Sequence, residues 1–355
     1  MNRGTGVNRR RPIHRVSELL TLNGGSSSLK FTAYRGSSAS ELEPTHAGTL
    51  LPGSGAEALF AEVLAQVGSG SVDAVGHRIV FGGSRYESPV LAGDIVMKDL
   101  EALVRVEPLH LRDELDLVYA AMRALPQAPN VLCFDTAFHR RSPAIAHRLA
   151  LPRDLDPLLQ RYGFHGLSYE YVVSRLPPGS GRTVIAHLGS GASLCALRDG
   201  KPVDTTMGFT ALGGLMMGTR PGDLDPGVML WLLGSDGYDV GRLTELLYHR
   251  SGLLGVSGSS ADMRTLLAQA PANDAARDAV DLFVYQLIKH IGAMVAVLGG
   301  LDTLVFTGGI GEHQPSIRER VTAALAYLGD VAIQVIPTDE NLMIARHTLR
   351  VLSTG

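Results

Sequence analysis

A short run, Asn23-Gly24-Gly25-Ser26-Ser27-Ser28, followed by Lys30, assembles what a bound anion needs. Two glycines let backbone N–H groups approach a phosphate oxygen closely, the hydroxyls of Ser26 and Ser28 can donate to it, and Lys30 adds a positive charge. An ordinary Gly/Ser turn has the same composition. What separates the two is repetition. His187-Leu188-Gly189-Ser190-Gly191 again sets one polar residue and a Gly/Ser turn between apolar runs, and a third glycine turn, Thr307-Gly308-Gly309-Ile310-Gly311-Glu312, follows the apolar run Leu304 to Phe306. Arg78 stands near Gly82-Gly83, where its planar fork suits a carboxylate or a phosphate, although a surface arginine would look the same locally. Asp135 ends the apolar run Val131 to Phe134, the position from which open α/β sheets reach their ligands; helix capping is its structural alternative. His165 lies between Gly163 and Gly166, which leave its ring accessible. Arg220, Asp223 and Asp225 sit in a loop from Thr205 to Gly227 that is dense in Gly, Thr and Met, predicted to be poorly suited to a core and well suited to closing over a substrate.

The elements that must carry these residues read as a duplicated α/β pattern. Leu19 to Leu22 and Leu29 to Tyr34 form one hairpin, and Thr183 to Leu197 forms its counterpart, so the spacing predicts two similar halves with a nucleotide between them. A Gly/Ser-rich connection leads to a helix at Ala56 to Val67, a strand runs from Val72 to Val80, and a helix follows from Asp113 to Ala124. The proline-bearing segment Ser142 to Gln160 reads as the crossover between halves. Helices are predicted at Val228 to Leu233, Arg242 to His249 and Asp274 to Leu298, with Ser251 to Arg264 a loop and a last helix restarting after Pro337.

Composition narrows the class. A chain of 355 residues is long enough for two cores, and a formal net charge of −3 calls for neither nucleic acid nor an acidic surface. No run is expected to approach the length of a membrane span. Cys133 and Cys195 lie in apolar strand contexts without a partner at metal-ligand spacing, which suits reduced core residues of a cytoplasmic protein. Residues 1–16 carry five arginines and read as a disordered basic arm or a start-site artefact.

The strings NGGSSSLKF, GHRIVFGG, FDTAFH, RYGFHGLS, HLGSGAS, MGTRPGDLDPG, SGLLGVSGSSADMR, FTGGIGE and PTDENLMIAR occur in this order between Leu19 and Arg346. In them the chain resembles the acetate kinase family, which belongs with the sugar kinases, Hsp70 and actin. The resemblance implies a two-domain duplicated actin-like (ribonuclease H-like) α/β ATPase fold with the nucleotide cleft between the domains. Residues 17–150 plus the C-terminal helix 338–355 would form the first domain, and 151–337 the second. It implies reversible phosphoryl transfer from ATP to acetate by direct in-line transfer, with Mg²⁺ (or Mn²⁺) as cofactor and a homodimer as the assembly.

By the same resemblance, Asp135, His165 and Arg220 are catalytic, with Arg220 and His165 on the transferring phosphoryl and Asp135 positioning metal or arginine. An attacking carboxylate is already ionised near neutral pH and needs no base. Arg78 would hold the acyl carboxylate, with Val80, Leu109, Phe164 and Ala211 lining the acyl pocket. Nucleotide would lie along His187, Leu188, Gly189, Ser190 and Gly191, along Asp262, Met263 and Arg264, and along Gly308, Gly309, Ile310, Gly311 and Glu312, with Lys30 near the phosphates. Asn23 and Glu340 would help to place the metal.

The chain departs from the family pattern at Phe81, Leu111, Tyr169, Ser190 and Ala211. A smaller lining residue at Ala211 would admit propionate, since one methylene is worth only about 1–3 kcal/mol in an apolar pocket. The other readings are a degenerate nucleotide binder without acyl kinase activity and a nucleotide switch of the actin or Hsp70 kind. Against the switch stand Arg78 and Arg220, whose neighbourhoods resemble those of acyl kinases.

Overall fold

The computed structural model describes residues 16–354 except 26, 27, 52, 54, 69–71, 109, 156 and 236. Ser26, Leu109 and nearly all of the basic arm therefore lie outside the described residues. The first half runs β1 (Glu18–Gly24), β2 (Leu29–Arg35), β3 (Glu43–Leu50), α1 (Ala56–Val67), β4 (Ala74–Ile79), β5 (Val90–Leu91), α2 (Asp94–Leu103), α3 (Leu111–Ala124) and β6 (Asn130–Phe134). Then follow α4 (Gly166–Arg175), β7 (Arg182–Leu188), β8 (Ala192–Arg198), β9 (Lys201–Thr205), α5 (Pro226–Leu233), α6 (Val240–His249), α7 (Gly252–Ser257), α8 (Met263–Gln269) and α9 (Asp274–Leu298). The chain closes with β10 (Thr303–Thr307), α10 (Gly308–His313), α11 (Pro315–Ala324), β11 (Ala332–Val335) and α12 (Glu340–Thr354).

The duplication is visible in the strand order. One sheet is β3-β2-β1-β4-β6-β5 and the other β9-β8-β7-β10-β11, so each has an antiparallel three-strand meander followed by parallel neighbours. Asn23 pairs with Lys30 across the first hairpin and His187 with Ser193 across the second, which puts the polar residues of both turns at equivalent sheet edges. β7 and β8 are buried almost throughout because helices cover both faces of their sheet, and they read as apolar runs for that reason. α12 crosses back to the first sheet, where Met343, Ile344 and Leu349 pack with Leu19, Ala74 and Val131. A Cβ at Gly76 would meet Thr348 Oγ1 at 2.3 Å, so this glycine is what lets the helix lie directly on β4.

Several expectations are corrected here. The Gly/Ser-rich connection before α1 contains strand β3, whose exposed residues give no apolar alternation because it is a sheet edge. The segment Ser251 to Arg264 holds α7 and the start of α8 rather than a loop, and the third glycine turn is the short helix α10. The loop from Thr205 to Gly227 is part of a core: Met207, Leu215, Met216 and Met217 are buried in the large central cluster. Asp223 pins that loop by accepting from the Gly214 N–H at 2.7 Å, and Asp225 caps α5. Finally, α9 at 25 residues is long and apolar enough to cross a membrane by length and composition, contrary to the expectation that no run approaches this. Its stripe Ala276, Val280, Phe283, Leu287, Ile291 and Met294 is buried in the core instead.

Candidate active site

Three segments predicted to bind nucleotide line one cavity of about 500 Å³: Gly189 and Ser190, Asp262 to Arg264, and Gly309 with Ile310. Ala261, His313 and Gln314 complete it, and no sequence signal pointed to these three. The floor is built by backbone constraint. Gly308 has φ 76° and a Cβ there would meet Leu188 O at 2.8 Å, so glycine alone lets β10 turn into α10 against β7. Glu312 does not face the cavity; its carboxylate accepts from the Gly308 N–H at 2.8 Å and from the Thr338 N–H at 3.3 Å, which ties this turn to the segment leading into α12. Leu188, Gly308 and Gly311 are buried behind the cavity. Asp262 caps α8 through the Thr265 N–H, and this hydrogen bond holds its carboxyl below the usual range. Met263 is core, whereas Arg264 is exposed.

Deeper in the cleft, the two halves present different chemistry. From the second half, His165 sits in the left-handed region (φ 58°) at the start of α4, an uncommon conformation for a side chain this bulky. Its ring stacks on His187 with centroids 4.2 Å apart. His165 Nδ1 lies 2.8 Å from Ser193 Oγ, which in turn meets Tyr169 OH at 2.5 Å, and His187 Nδ1 lies 2.8 Å from Ser168 Oγ. Tyr169, a departure from the family pattern, is thereby built into a buried hydroxyl relay. Burial first, then the other ring and the neighbouring arginines, push His165 well below its usual pKa; His187 is pulled down to about 4, mainly by burial. Both imidazoles are neutral at pH 7, which removes charge repulsion from the stack.

Arg220 enters beside them. Its Nη1 donates to Ala211 O at 2.8 Å, and a Cβ on Gly191 would stand 2.7 Å from Arg220 Nη2 and 3.2 Å from His165 Nε2. Glycine at this position keeps open the spot on which the guanidinium and the imidazole converge. Among the described residues Arg220 forms no ion pair, and burial lowers its pKa.

From the first half comes an ionic cluster. Arg78 Nε and Nη2 donate to Asp135 Oδ2 at 3.0 and 2.7 Å, while Nη1 donates to Glu114 Oε1 at 2.9 Å and to Gly24 O at 2.5 Å. Glu114 Oε2 accepts from the Val80 N–H at 2.7 Å. Burial would lower Arg78, but Asp135 and Glu114 outweigh it and hold the guanidinium charged. Asp135 is buried at the end of β6, and burial raises its pKa against the pull of Arg78. Glu114 was missed by sequence reading. Its signal was available: it falls on the inward stripe Leu111, Leu115, Val118 of α3, where a carboxylate has no business without a partner.

Val80, Phe164 and Ala211 are all buried, with Phe81 stacked on Phe164 at 6.3 Å. Ser28 is placed elsewhere: with Gly24, Gly25, His110 and Glu114 it lines a second cavity of about 320 Å³ between the first hairpin, α1 and α3. Lys30 is exposed on β2 opposite Asn23.

Asn23 Nδ2 donates to Glu340 Oε2 at 2.8 Å, joining β1 to the start of α12. Asp135 Oδ1 is buried with no hydrogen-bond partner among the described residues. These oxygen donors suit a hard cation, and among the described residues there is no cluster of three or more acidic, His or Cys ligands. That donor set fits Mg²⁺, which keeps several of its waters.

Two sheets of one strand order, meeting at a cleft where an arginine from each half faces paired imidazoles, define a duplicated actin-like α/β phosphotransferase. The chain belongs to the acetokinase family, whose model matches residues 54–332. It is 47% identical over 313 residues to an acetate kinase of Rhodopseudomonas palustris, covering 80% of this chain and 78% of that one. Among solved structures it resembles a propionate kinase from Francisella tularensis (TM-score 0.84, 32% identity, 94% of this chain and 100% of that one). It also resembles the acetate kinase of Porphyromonas gingivalis (TM-score 0.81, 33% identity, 95% and 100%).

Proposed function

We propose that the protein is an acetate kinase, transferring the γ-phosphoryl group of ATP to acetate to form acetyl phosphate and ADP, and running in either direction. The observation that carries this reading is Arg220: a buried cation with no ion-pair contact among the described residues and only the more distant pull of Glu107, converging with His165 on the gap at Gly191. Burying an uncompensated charge is costly unless a ligand anion completes it, and phosphoryl transfer spreads negative charge over three equatorial oxygens. In the polarity in which Tyr169 donates to Ser193 and Ser193 to His165 Nδ1, the imidazole carries its proton on Nε2 and donates it toward the same group.

In this reading Arg78 and Asp135 orient the acid between Val80, Phe164 and Ala211, and the cavity along Ser190, Arg264 and Ile310 takes the nucleotide. Asn23 and Glu340, with the free oxygen of Asp135 behind them, would hold hydrated Mg²⁺; the bound ion would neutralise phosphate charge. We divide the chain into a first domain of 17–150 plus the C-terminal helix and a second of 151–337. The exposed apolar residues Leu230, Trp231 and Leu233 of α5 suit the interface of a homodimer, and the free, buried Cys133 and Cys195 suit the cytoplasm. Trapping acyl phosphate as hydroxamate with Mg·ATP, and comparing acetate, propionate and butyrate, tests the function. Highest kcat/KM on acetate is expected; highest on propionate would reassign the substrate, and no product with any of the three would overturn the reading.

A further inference from the structure

The guanidinium that should receive the acid is already occupied. Four of the five N–H donors of Arg78 are used by Asp135, Glu114 and Gly24 O, and its side chain is only 11% exposed. Asp135 and Glu114 play different parts. Asp135 takes Nε and Nη2 on one oxygen from the end of β6, a short turn that also fixes α4 through the Gly166 N–H. Glu114 reaches Nη1 from a helix, by a flexible side chain, and lies beside the pocket wall because its second oxygen holds the Val80 N–H. A substrate carboxylate packed against Val80 and seeking the arginine needs the donors that Glu114 holds.

We propose that Glu114 is an internal carboxylate that occupies the substrate's seat on Arg78, sets the affinity for the acid, and withdraws into the neighbouring cavity when substrate binds. The cavity of about 320 Å³ offers room for that movement: Glu114 lines it together with Gly24, His110 and Leu117, and a Cβ on Gly24 would touch Glu114 Cγ at 3.8 Å, so no side chain intervenes. Charge counting supports displacement. One arginine compensates one carboxylate fully and two partly, and where Glu114 is ionised, above about pH 8, an incoming acid would make three.

The groups that face Glu114 are Arg78 on β4, Asp135 after β6 and Glu107 before α3; on its own helix His110, Asp113 and Asp116 border the same cavity, and Glu340 of α12 acts on the same arginine. Three of these surrounding charges are carboxylates on other elements. Asp135 and Glu107 favour the neutral form of Glu114, which burial has already pushed up to about 8.

The inference rests on the acyl kinase reading, and Glu114→Gln separates the two. Activity of the wild type with acetate tests the reading; the variant tests the inference. Expected is a KM for acetate lowered about fivefold or more at pH 8.5, with kcat within about threefold, because a competitor for the ground state has been removed. An unchanged or raised KM would mean that Glu114 merely anchors Arg78, and the inference falls. Should the variant not fold, the wild type itself decides: its KM for acetate rises about fivefold between roughly pH 6.5 and 9 as Glu114 ionises, and a flat profile overturns the proposal.

Discussion

The arginines of the two halves are both buried, yet they stand in opposite electrostatic settings. Around Arg78 two carboxylates more than reverse the effect of burial; around Arg220 the pull of Glu107 falls short of that, and burial lowers its pKa. A compensated cation is a positioning device, since its charge is already spent on Asp135 and Glu114. An uncompensated one keeps its charge for a ligand. The same contrast holds for their neighbours: carboxyl groups gathered on one arginine in the first half, a relay of Tyr169, Ser193, His165 and His187 in the second. In the proposed function a duplicated fold is thus specialised by side chains, so that one half would hold the acid and the other the migrating charge.

The sharpest way to break this comparison is Arg220→Ala. It should lower kcat/KM for acetate by about 100-fold or more, close to 3 kcal/mol of transition-state stabilisation, in hydroxamate-trapped assays. Binding of ADP, followed by calorimetry, should change little, because the nucleotide cavity lies along other residues. Equal losses in binding and turnover would erase the distinction between the two arginines.

Ser193→Ala addresses the neutral relay. It strands the buried Tyr169 hydroxyl and releases His165 Nδ1, so the thermal midpoint should drop by an amount equivalent to about 1–3 kcal/mol. Turnover should fall about tenfold as the imidazole loses its fixed tautomer.

The smallest effect concerns stability and pH in the ionic half. Glu114 has a folded-state pKa raised to about 8, well above its ordinary value, mainly by burial. The folded protein then binds the proton more tightly than the unfolded chain, so the stabilisation is complete below the unfolded value and is lost as pH rises through about 8. Relative to Glu114→Gln, wild type should therefore lose stability between pH 5 and about 8.5 in parallel thermal melts. A gap that stays constant across that range would show that the carboxylate is already ionised at pH 5.

Much of this could be read before any coordinates. Apolar runs interrupted by Gly/Ser turns marked both hairpins, because a closely approached backbone leaves glycine in the sequence, as at Gly191 in the second hairpin. The 3.6-residue stripe of α9 marked its helix to the residue. Asp135, Arg78, His165 and Arg220 were legible as groups able to act on phosphate or carboxylate. By contrast, β3 was hidden because an exposed edge strand shows no alternation, and the methionines of the Thr205 to Gly227 loop looked like a lid although they are core.

Residue types and their order along the chain thus determined the kind of chemistry and the duplicated plan, since both depend on local periodicity and on which groups exist. Only the tertiary structure decided the partnerships. Glu114 and Arg78 are 36 positions apart and Asn23 and Glu340 are 317 apart, and no local rule reports which of many carboxylates reaches a given cation. Whether an arginine is spent on the protein or kept for a ligand depends on that pairing and on the water excluded around it, and both arise when the two sheets close on one another.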